Sequence, residues 1–288
     1  MYAVLNTTDD ITHCGNIGHV IRDFHVTCQL ARKYGFRGVN VDLSPTVRQG
    51  AAEYRRILAE SGLVPVAFSF AANLFGTAAE FDHSVREFET QARLASSFGC
   101  HLTLCYLPPF SHDLNFNDRF VQTVERLRRL APILRDYDIR VGFEFIGPTE
   151  TRRDTRYDFI HTMDGTRALI ASAGLDGHAG YKLDVHHWQH SGAGLLDLHH
   201  CDLEYLLYVE LNDGLPGYDS QTMPEFAREL PLTNGVNDVV GFLRALSRKG
   251  YRGPVVVEPW NQRIKDLPVE DAIATVKDAL DRCLSLVS

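Results

Sequence analysis

Short apolar runs alternate with amphipathic stretches from one end of the chain to the other. Ala3-Val4-Leu5 opens the series, and a helix-like stretch from about residue 19 to 34 follows, closed by Gly35 as a C-cap. Gly38-Val39-Asn40-Val41-Asp42-Leu43 reads as a second strand, residues 51–61 as a helix stopped by Gly62, and Val64-Pro65-Val66-Ala67-Phe68 as a third strand. A helix over about 79–98 ends at Gly99, His101-Leu102-Thr103-Leu104-Cys105 forms a fourth strand, and a further helix covers about 117–137. Four more strands follow. Helices are predicted near 163–173, near 236–249 with Asn237-Asp238 as N-cap and Gly250 as stop, and near 268–286 after Pro268. The helix between strands six and seven is weak or missing. Such alternation predicts an all-parallel sheet.

The last four strands each end on a carboxylate: Glu144 after Arg140-Val141-Gly142-Phe143, Asp184 after Tyr181-Lys182-Leu183, Glu210 after Leu207-Tyr208-Val209, and Glu258 after Val255-Val256-Val257. A buried strand rarely tolerates an unpaired charge, so something cationic is expected where the four meet. Their separations of 40, 26 and 48 residues leave room for a helix and its loops each time. In a parallel barrel the C-terminal strand ends converge on the active site, and the four runs together predict a metal-binding enzyme. A doubly wound sheet would also alternate, but Cys14-Gly15-Asn16-Ile17-Gly18 supplies no dinucleotide fingerprint and no Gly-Lys-Ser/Thr loop occurs. The expected fold is therefore α/β, a single (β/α)8 TIM barrel with residues 1–288 as one domain. The long irregular stretch from about 212 to 236 would form a lid on its C-terminal face.

Length and charge narrow the functional classes. The chain has 288 residues, the size of one such barrel. A formal charge of −8, from 29 basic and 37 acidic side chains, disfavours nucleic acid and anionic membranes as partners. No run approaches the ~20 apolar residues that span a bilayer, and the start lacks the pattern of a signal peptide, so a cytoplasmic protein is expected. Cys14, Cys28, Cys100, Cys105, Cys201 and Cys283 form no Cys-x-x-Cys pair and are read as reduced and mostly buried.

Five motifs in order carry a resemblance: Gly35-Phe36-Arg37-Gly38-Val39, Gly142-Phe143-Glu144, Leu183-Asp184-Val185-His186-His187, Val209-Glu210-Leu211-Asn212-Asp213, and Gly250-Tyr251-Arg252-Gly253-Pro254-Val255-Val256-Val257-Glu258. Over nearly its whole length the chain resembles the xylose-isomerase-like TIM barrels, a superfamily of sugar isomerases, sugar 3-epimerases and inosose or dehydroshikimate dehydratases. The resemblance implies that Glu144, Asp184 and Glu258 are metal ligands and that Glu144 and Glu258 also transfer protons. It implies contact with substrate oxygen or metal for His187 and substrate binding for Arg228. The family's fourth ligand is usually a histidine in Val-His-x-x-Asp, and here Glu210 stands in its place.

Three glutamates and an aspartate make an all-oxygen site, suited to Mn²⁺ first and Mg²⁺ second. Around one divalent ion they leave two surplus negative charges, which pushes at least one carboxylate pKa upward and makes a usable general acid. Alternatively Glu210 points away and three protein ligands share the ion with water. Strand alternation would turn His186 toward the barrel axis with Asp184, whereas the family register favours His187, which is preferred. Tyr106, Phe145, Trp188 and Trp260 sit at strand ends, where they line a sugar pocket or belong to the core. Trp260 is carried forward as a substrate-binding candidate. His13, His101, His112 and His190 are candidates for polar contacts or ordinary surface and core residues. Arg126-Leu127-Arg128-Arg129 reads as a solvated helix face, and a surface position is the alternative for Arg228.

The leading expectation is a divalent-metal-dependent isomerase or epimerase acting on a sugar or keto-sugar through an enediolate. The alternative is a dehydratase or lyase expelling a β-substituent from a keto-sugar, keto-inositol, keto-glycoside or dehydroshikimate. A phosphodiesterase for abasic DNA shares the barrel but needs extra histidine ligands and a cationic surface, and a non-catalytic carbohydrate-binding barrel is the remaining class. The sequence leaves homo-oligomerisation open.

Overall fold

A computed structural model describes residues 1–8 and 17–287, so His13 and Cys14 lie outside the described residues. Eight parallel strands close a barrel in chain order: β1 (Tyr2–Leu5), β2 (Gly38–Val41), β3 (Val64–Ser69), β4 (Leu102–Leu107), β5 (Arg140–Phe145), β6 (Ala179–Asp184), β7 (Leu206–Leu211) and β8 (Pro254–Val257). Pro254 takes the first position of its strand, where a missing N–H costs least. Around the barrel pack α1 (Phe24–Lys33), α2 (Ala51–Ser61), α3 (Ala78–Ser97), α4 (Phe116–Asp136), α5 (Met163–Ala173), α6 (Val185–His190), α7 (Leu195–His200), α8 (Val239–Lys249), α9 (Gln262–Lys265) and α10 (Val269–Ser285).

Local chemistry sets these boundaries. α1 starts later than its periodicity suggests because the Asp23 carboxylate accepts from the amides of His25 and Val26. Thr77 and Glu80 form a reciprocal capping box at the start of α3. The weak helix expected between strands six and seven is a pair of short ones, α6 and α7. Asp184 ends β6 and caps α6 in one step, its Oδ1 accepting from the amides of His186 at 2.6 Å and His187 at 3.4 Å. Alternation therefore stops at Asp184, which is why the strand argument for His186 fails.

Inside the barrel, Val4, Val66, Ala67, Tyr208 and Val256 pack into an apolar plug, and a larger core fills the space between strands and helices. The Arg126 run is not uniformly solvated. Arg126 is buried on α4 and donates to the carbonyls of Leu74 at 2.6 Å and Gly76 at 2.8 Å, while Arg128 and Arg129 stay exposed. Arg119, one face of α4 further back, reaches the Phe75 carbonyl at 3.5 Å. Two arginines thus pin the loop after β3. A two-stranded antiparallel ribbon, Phe110–Ser111 with Tyr157–Asp158, joins the loops after β4 and β5.

The long segment after β7 is anchored at both ends by one side chain. The Asp213 carboxylate accepts from the amides of Gly214, Asn234, Gly235, Val236 and Asn237 at 2.7–2.9 Å. The segment arches over the C-terminal end of the barrel, where the sequence places a lid. The five described cysteines are free thiols, and all but Cys201 are fully buried. No described helix is long and apolar enough to cross a membrane.

Candidate active site

Alternation along each strand turns Glu144, Asp184, Glu210 and Glu258 inward, one layer above the apolar plug. Asp184 lies opposite Glu210 in the β6–β7 register, and Glu210 lies opposite Val256 in the β7–β8 register. All four carboxylates are buried, and each offers an oxygen within 4.8 Å of the others. This is the convergence that the four runs predict.

The cation expected there is partly supplied by the protein, in two pieces. Lys182, two residues before Asp184 and on the same inward side, reaches up from the Tyr208 layer. Its Nζ lies 2.7 Å from Glu144 Oε2 and 2.9 Å from Glu210 Oε2. Arg228 arrives from the arching segment and donates through Nη1 to Asp184 Oδ2 at 3.1 Å and Glu258 Oε2 at 3.0 Å. Each cation bridges one pair of carboxylates. Arg228 also donates Nε–H to the Glu225 carbonyl and Nη2–H to the Glu225 carboxylate, with His187 Nε2 at 3.4 Å from Nη2. A guanidinium has five N–H donors; four go to Glu225, Asp184 and Glu258, and the fifth faces His187. Arg228 is thus fully buried behind the carboxylates, neither a surface residue nor part of the cavity wall.

Among the described residues, five carboxyl groups, counting Glu225, face two protein cations in this cluster. Burial, which Lys182 only partly offsets, raises the Glu144 carboxyl above its ordinary range, and burial against the pull of Arg228 does the same to Asp184. Burial and then repulsion from Glu258 push Glu210 up strongly. Burial lifts Glu225 to about 8 despite Arg228. Burial alone would weaken the Lys182 ammonium, but Glu144, Glu210 and Glu258 together raise its pKa well above the usual lysine value. His187, buried and beside Arg228, is held neutral.

A cavity of about 490 Å³ opens above the layer. Of the four carboxylates at the strand ends, only Glu144 and Glu258 line it; Lys182, His187, Glu225, Tyr106, Asn6 and Asn40 are among the other polar lining residues. The opposite side is Phe68, Phe70, Leu74, Phe75 and Leu104, with Ile146, Phe226 and Trp260 at the rim. Trp260 has φ +41° and packs edge-on against Phe226, ring centroids 5.3 Å apart. His187 Nε2 stands 3.5 Å from both Glu144 Oε1 and Glu225 Oε1. It gets there because Gly147 lets the loop after β5 touch α6, where a Cβ would come 2.1 Å from the His187 carbonyl oxygen.

Other candidates fall elsewhere. Tyr106 reaches the cavity, but Phe145 and Trp188 are core residues, packed on Tyr181 and Phe242. His101 sits at the opposite end of the barrel against the Asp138 carbonyl, His112 is exposed beside Phe110, and His190 bonds Ser220 Oγ under the arching segment. Sequence reading missed Lys182 and Glu225. The first is detectable from its two-residue spacing to Asp184; the second has no local signal.

A closed parallel barrel with an acidic ring at its C-terminal strand ends defines a TIM-barrel protein with a built polar centre. The chain matches the profile of the xylose isomerase-like TIM barrel family over residues 28–283 and belongs to that family. It is 26% identical over 155 residues, 54% of its length, to the inosose isomerase of Halalkalibacterium halodurans. That match spans about half of the relative, 51%. A xylose isomerase domain protein from Alicyclobacillus acidocaldarius superposes with a TM-score of 0.79 at 26% identity, covering 92% of this chain and 94% of the other. The IolI protein, solved with a zinc atom bound, gives a TM-score of 0.80 at 16% identity over 100% and 99% of the two chains.

Proposed function

We propose that the chain is a carbohydrate isomerase or epimerase working through an enediolate, with Glu144 and Glu258 as its proton-transfer pair. One observation carries the reading: these two alone of the four strand-end carboxylates line the cavity, and they stand on strands separated by β6 and β7. A substrate carbon between them is reached by one glutamate on each face. One takes the proton next to the carbonyl; return from the other face inverts the carbon, and return to the neighbouring carbon exchanges aldose and ketose. The raised pKa of Glu144 makes it a stronger base than an exposed carboxylate. Arg228 holds Glu258 by its Oε2 and so acts as a positioning residue. Neutral His187, at the cavity wall, is suited to hydrogen-bond a substrate hydroxyl, and Trp260 to cover the sugar's apolar face.

The donor set fits a divalent ion. The clustered oxygens and the excess of carboxyl groups over cations among the described residues favour one, and the zinc-bound relative is in keeping with it. Glu144, Asp184 and Glu258 would hold it, and their oxygen chemistry favours Mn²⁺ or Mg²⁺. Such an ion supplies Lewis-acid polarisation of a carbonyl and its neighbouring hydroxyl. The cavity's phenylalanine side supports a second reading, elimination of an apolar β-substituent from the same enediolate. The test is a panel of ketoses, inososes and keto-glycosides in deuterated water, with Mn²⁺ and with chelator. Deuterium entering the carbon next to the carbonyl, lost on chelation and restored by Mn²⁺, is the expected result. No exchange with any panel member while Mn²⁺ is bound overturns the reading.

A further inference from the structure

An enediolate needs a positive partner at the oxygen that gains charge, and such a partner is worth most where water is excluded. Among the described residues lining the cavity, Lys182 is the one Lys or Arg. Arg228 turns its donors to Glu225, Asp184, Glu258 and His187. The Lys182 ammonium is held from two sides, by Glu144 at 2.7 Å and Glu210 at 2.9 Å, and its side chain keeps 12% exposure at the cavity floor. An ammonium has three N–H groups; one is hydrogen-bonded to Glu144 and the contact with Glu210 is an ion pair, so at least one N–H stays unspent. Glu210, by contrast, is wholly buried and absent from the cavity wall, and the Lys182 ammonium paired with it lines that wall.

We propose that Lys182 is a further catalytic residue of this centre, its third N–H donated to the substrate oxygen that becomes charged, and that Glu210 is the counter-ion holding that ammonium and not a ligand of the divalent ion. Charge develops on the oxygen as the neighbouring proton departs, and a fixed ammonium meets it without rearrangement. The assignment of Lys182 to this oxygen rests on the enediolate reading; the pairing with Glu210 does not.

Five proteins test it: wild type, Lys182→Met, Glu210→Gln, the double variant and, as the reference for loss of a ligand, Asp184→Asn. In thermal unfolding Lys182→Met and Glu210→Gln each lower Tm, and the second adds little once the first is made, as for directly paired residues. Additive losses overturn the pairing. In Mn²⁺ titration, Glu210→Gln loses much less affinity than Asp184→Asn; equal losses make Glu210 a ligand and overturn its assignment. The planar enediolate is mimicked by a five-carbon aldonohydroxamate, and the matching pentitol serves as the uncharged control. Lys182→Met reduces the preference for the hydroxamate over the pentitol by about 30-fold or more, while an unchanged preference removes Lys182 from the chemistry. If Lys182→Met does not fold, the double variant, which loses one charge of each sign, carries the same ligand comparison. A wild type that binds neither compound overturns the role of Lys182 and the carbohydrate reading together, and leaves Glu210 to be decided by the unfolding and Mn²⁺ arms.

Discussion

The two sides of the cavity are built on different principles. The side formed by β5 to β8 is a closed arrangement of charge, in which Lys182 and Arg228 each join two carboxylates and every member depends on its neighbours. The side formed by β3, its following loop and β4 is a row of phenylalanines and leucines, shaped by Arg126 and Arg119 gripping the loop's carbonyls from behind. In the first, changing one group alters the protonation of the others. In the second, a change of side chain alters only shape. Charge is therefore concentrated in one wall and apolar shape in the other.

The sharpest test of that division is Glu144→Gln and Glu258→Gln, each expected to lower turnover by about 10²–10⁴-fold with KM changed far less. Steady-state kinetics on the substrate identified by the panel, at saturating Mn²⁺, measures both constants. If either variant keeps wild-type turnover, that glutamate is not in the proton-transfer pair.

Arg228→Met should follow in size, because it strands Asp184, Glu258 and Glu225 in a buried site. A loss of about 3–5 kcal/mol in urea unfolding is expected, as for removal of one partner from a buried ion pair. A loss under about 1 kcal/mol would mean that the charges on this wall are less interdependent than their geometry implies.

The pH dependence of stability separates the walls without mutation. Burial raises the Glu225 carboxyl to about 8 in the fold, so above pH 6.5 the native protein retains a proton that the unfolded chain has lost. Stability of the metal-free protein should therefore fall as pH rises from about 6.5 to 8, by about 1.4 kcal/mol per pH unit for each retained proton. Below about 6.5 the depressed pKa values of His186, His187 and His190 act in the opposite sense, since the unfolded chain then binds the protons. The expected maximum lies near that crossover. Glu225→Gln should flatten the decline on the alkaline side, and an unchanged slope would remove Glu225 from the cause.

Phe75→Ala addresses the apolar wall and should have the smallest effect. KM should rise by roughly tenfold with turnover little changed, the loss expected from one partly buried ring that binds substrate and transition state alike. A larger fall in turnover than in affinity would show that the apolar wall takes part in the chemistry.

The same contrast explains what could be read from the chain alone. Four carboxylates at the ends of apolar runs are a pattern along the sequence, so the barrel, its orientation and the acidic layer were legible at the level of residues. Helices with strong stops, such as α2 before Gly62 and α8 before Gly250, were placed within a few residues. Lys182 was overlooked because a lysine inside a strand reads as an interruption, although its spacing to Asp184 fixes its direction. Glu225 and the contacts of Arg228 were not legible, since they depend on how the segment after Asp213 folds back. The phenylalanine wall was hidden for another reason: Phe68, Phe70 and Phe75 look like any core residues until a cavity is seen beside them.

The clamp at Asp213 has an evolutionary consequence. Because a single carboxylate fastens both ends of the arch, the intervening residues form a cassette that can be exchanged without disturbing the strands beneath. Phe226 at the cavity rim would change with it, and substrate range along with it. Yet the cassette also carries Arg228, on which Asp184 and Glu258 depend. Any exchange that reshapes the cavity rim must deliver a guanidinium back to the same spot, so the module is free in its outward face and bound in its inward one.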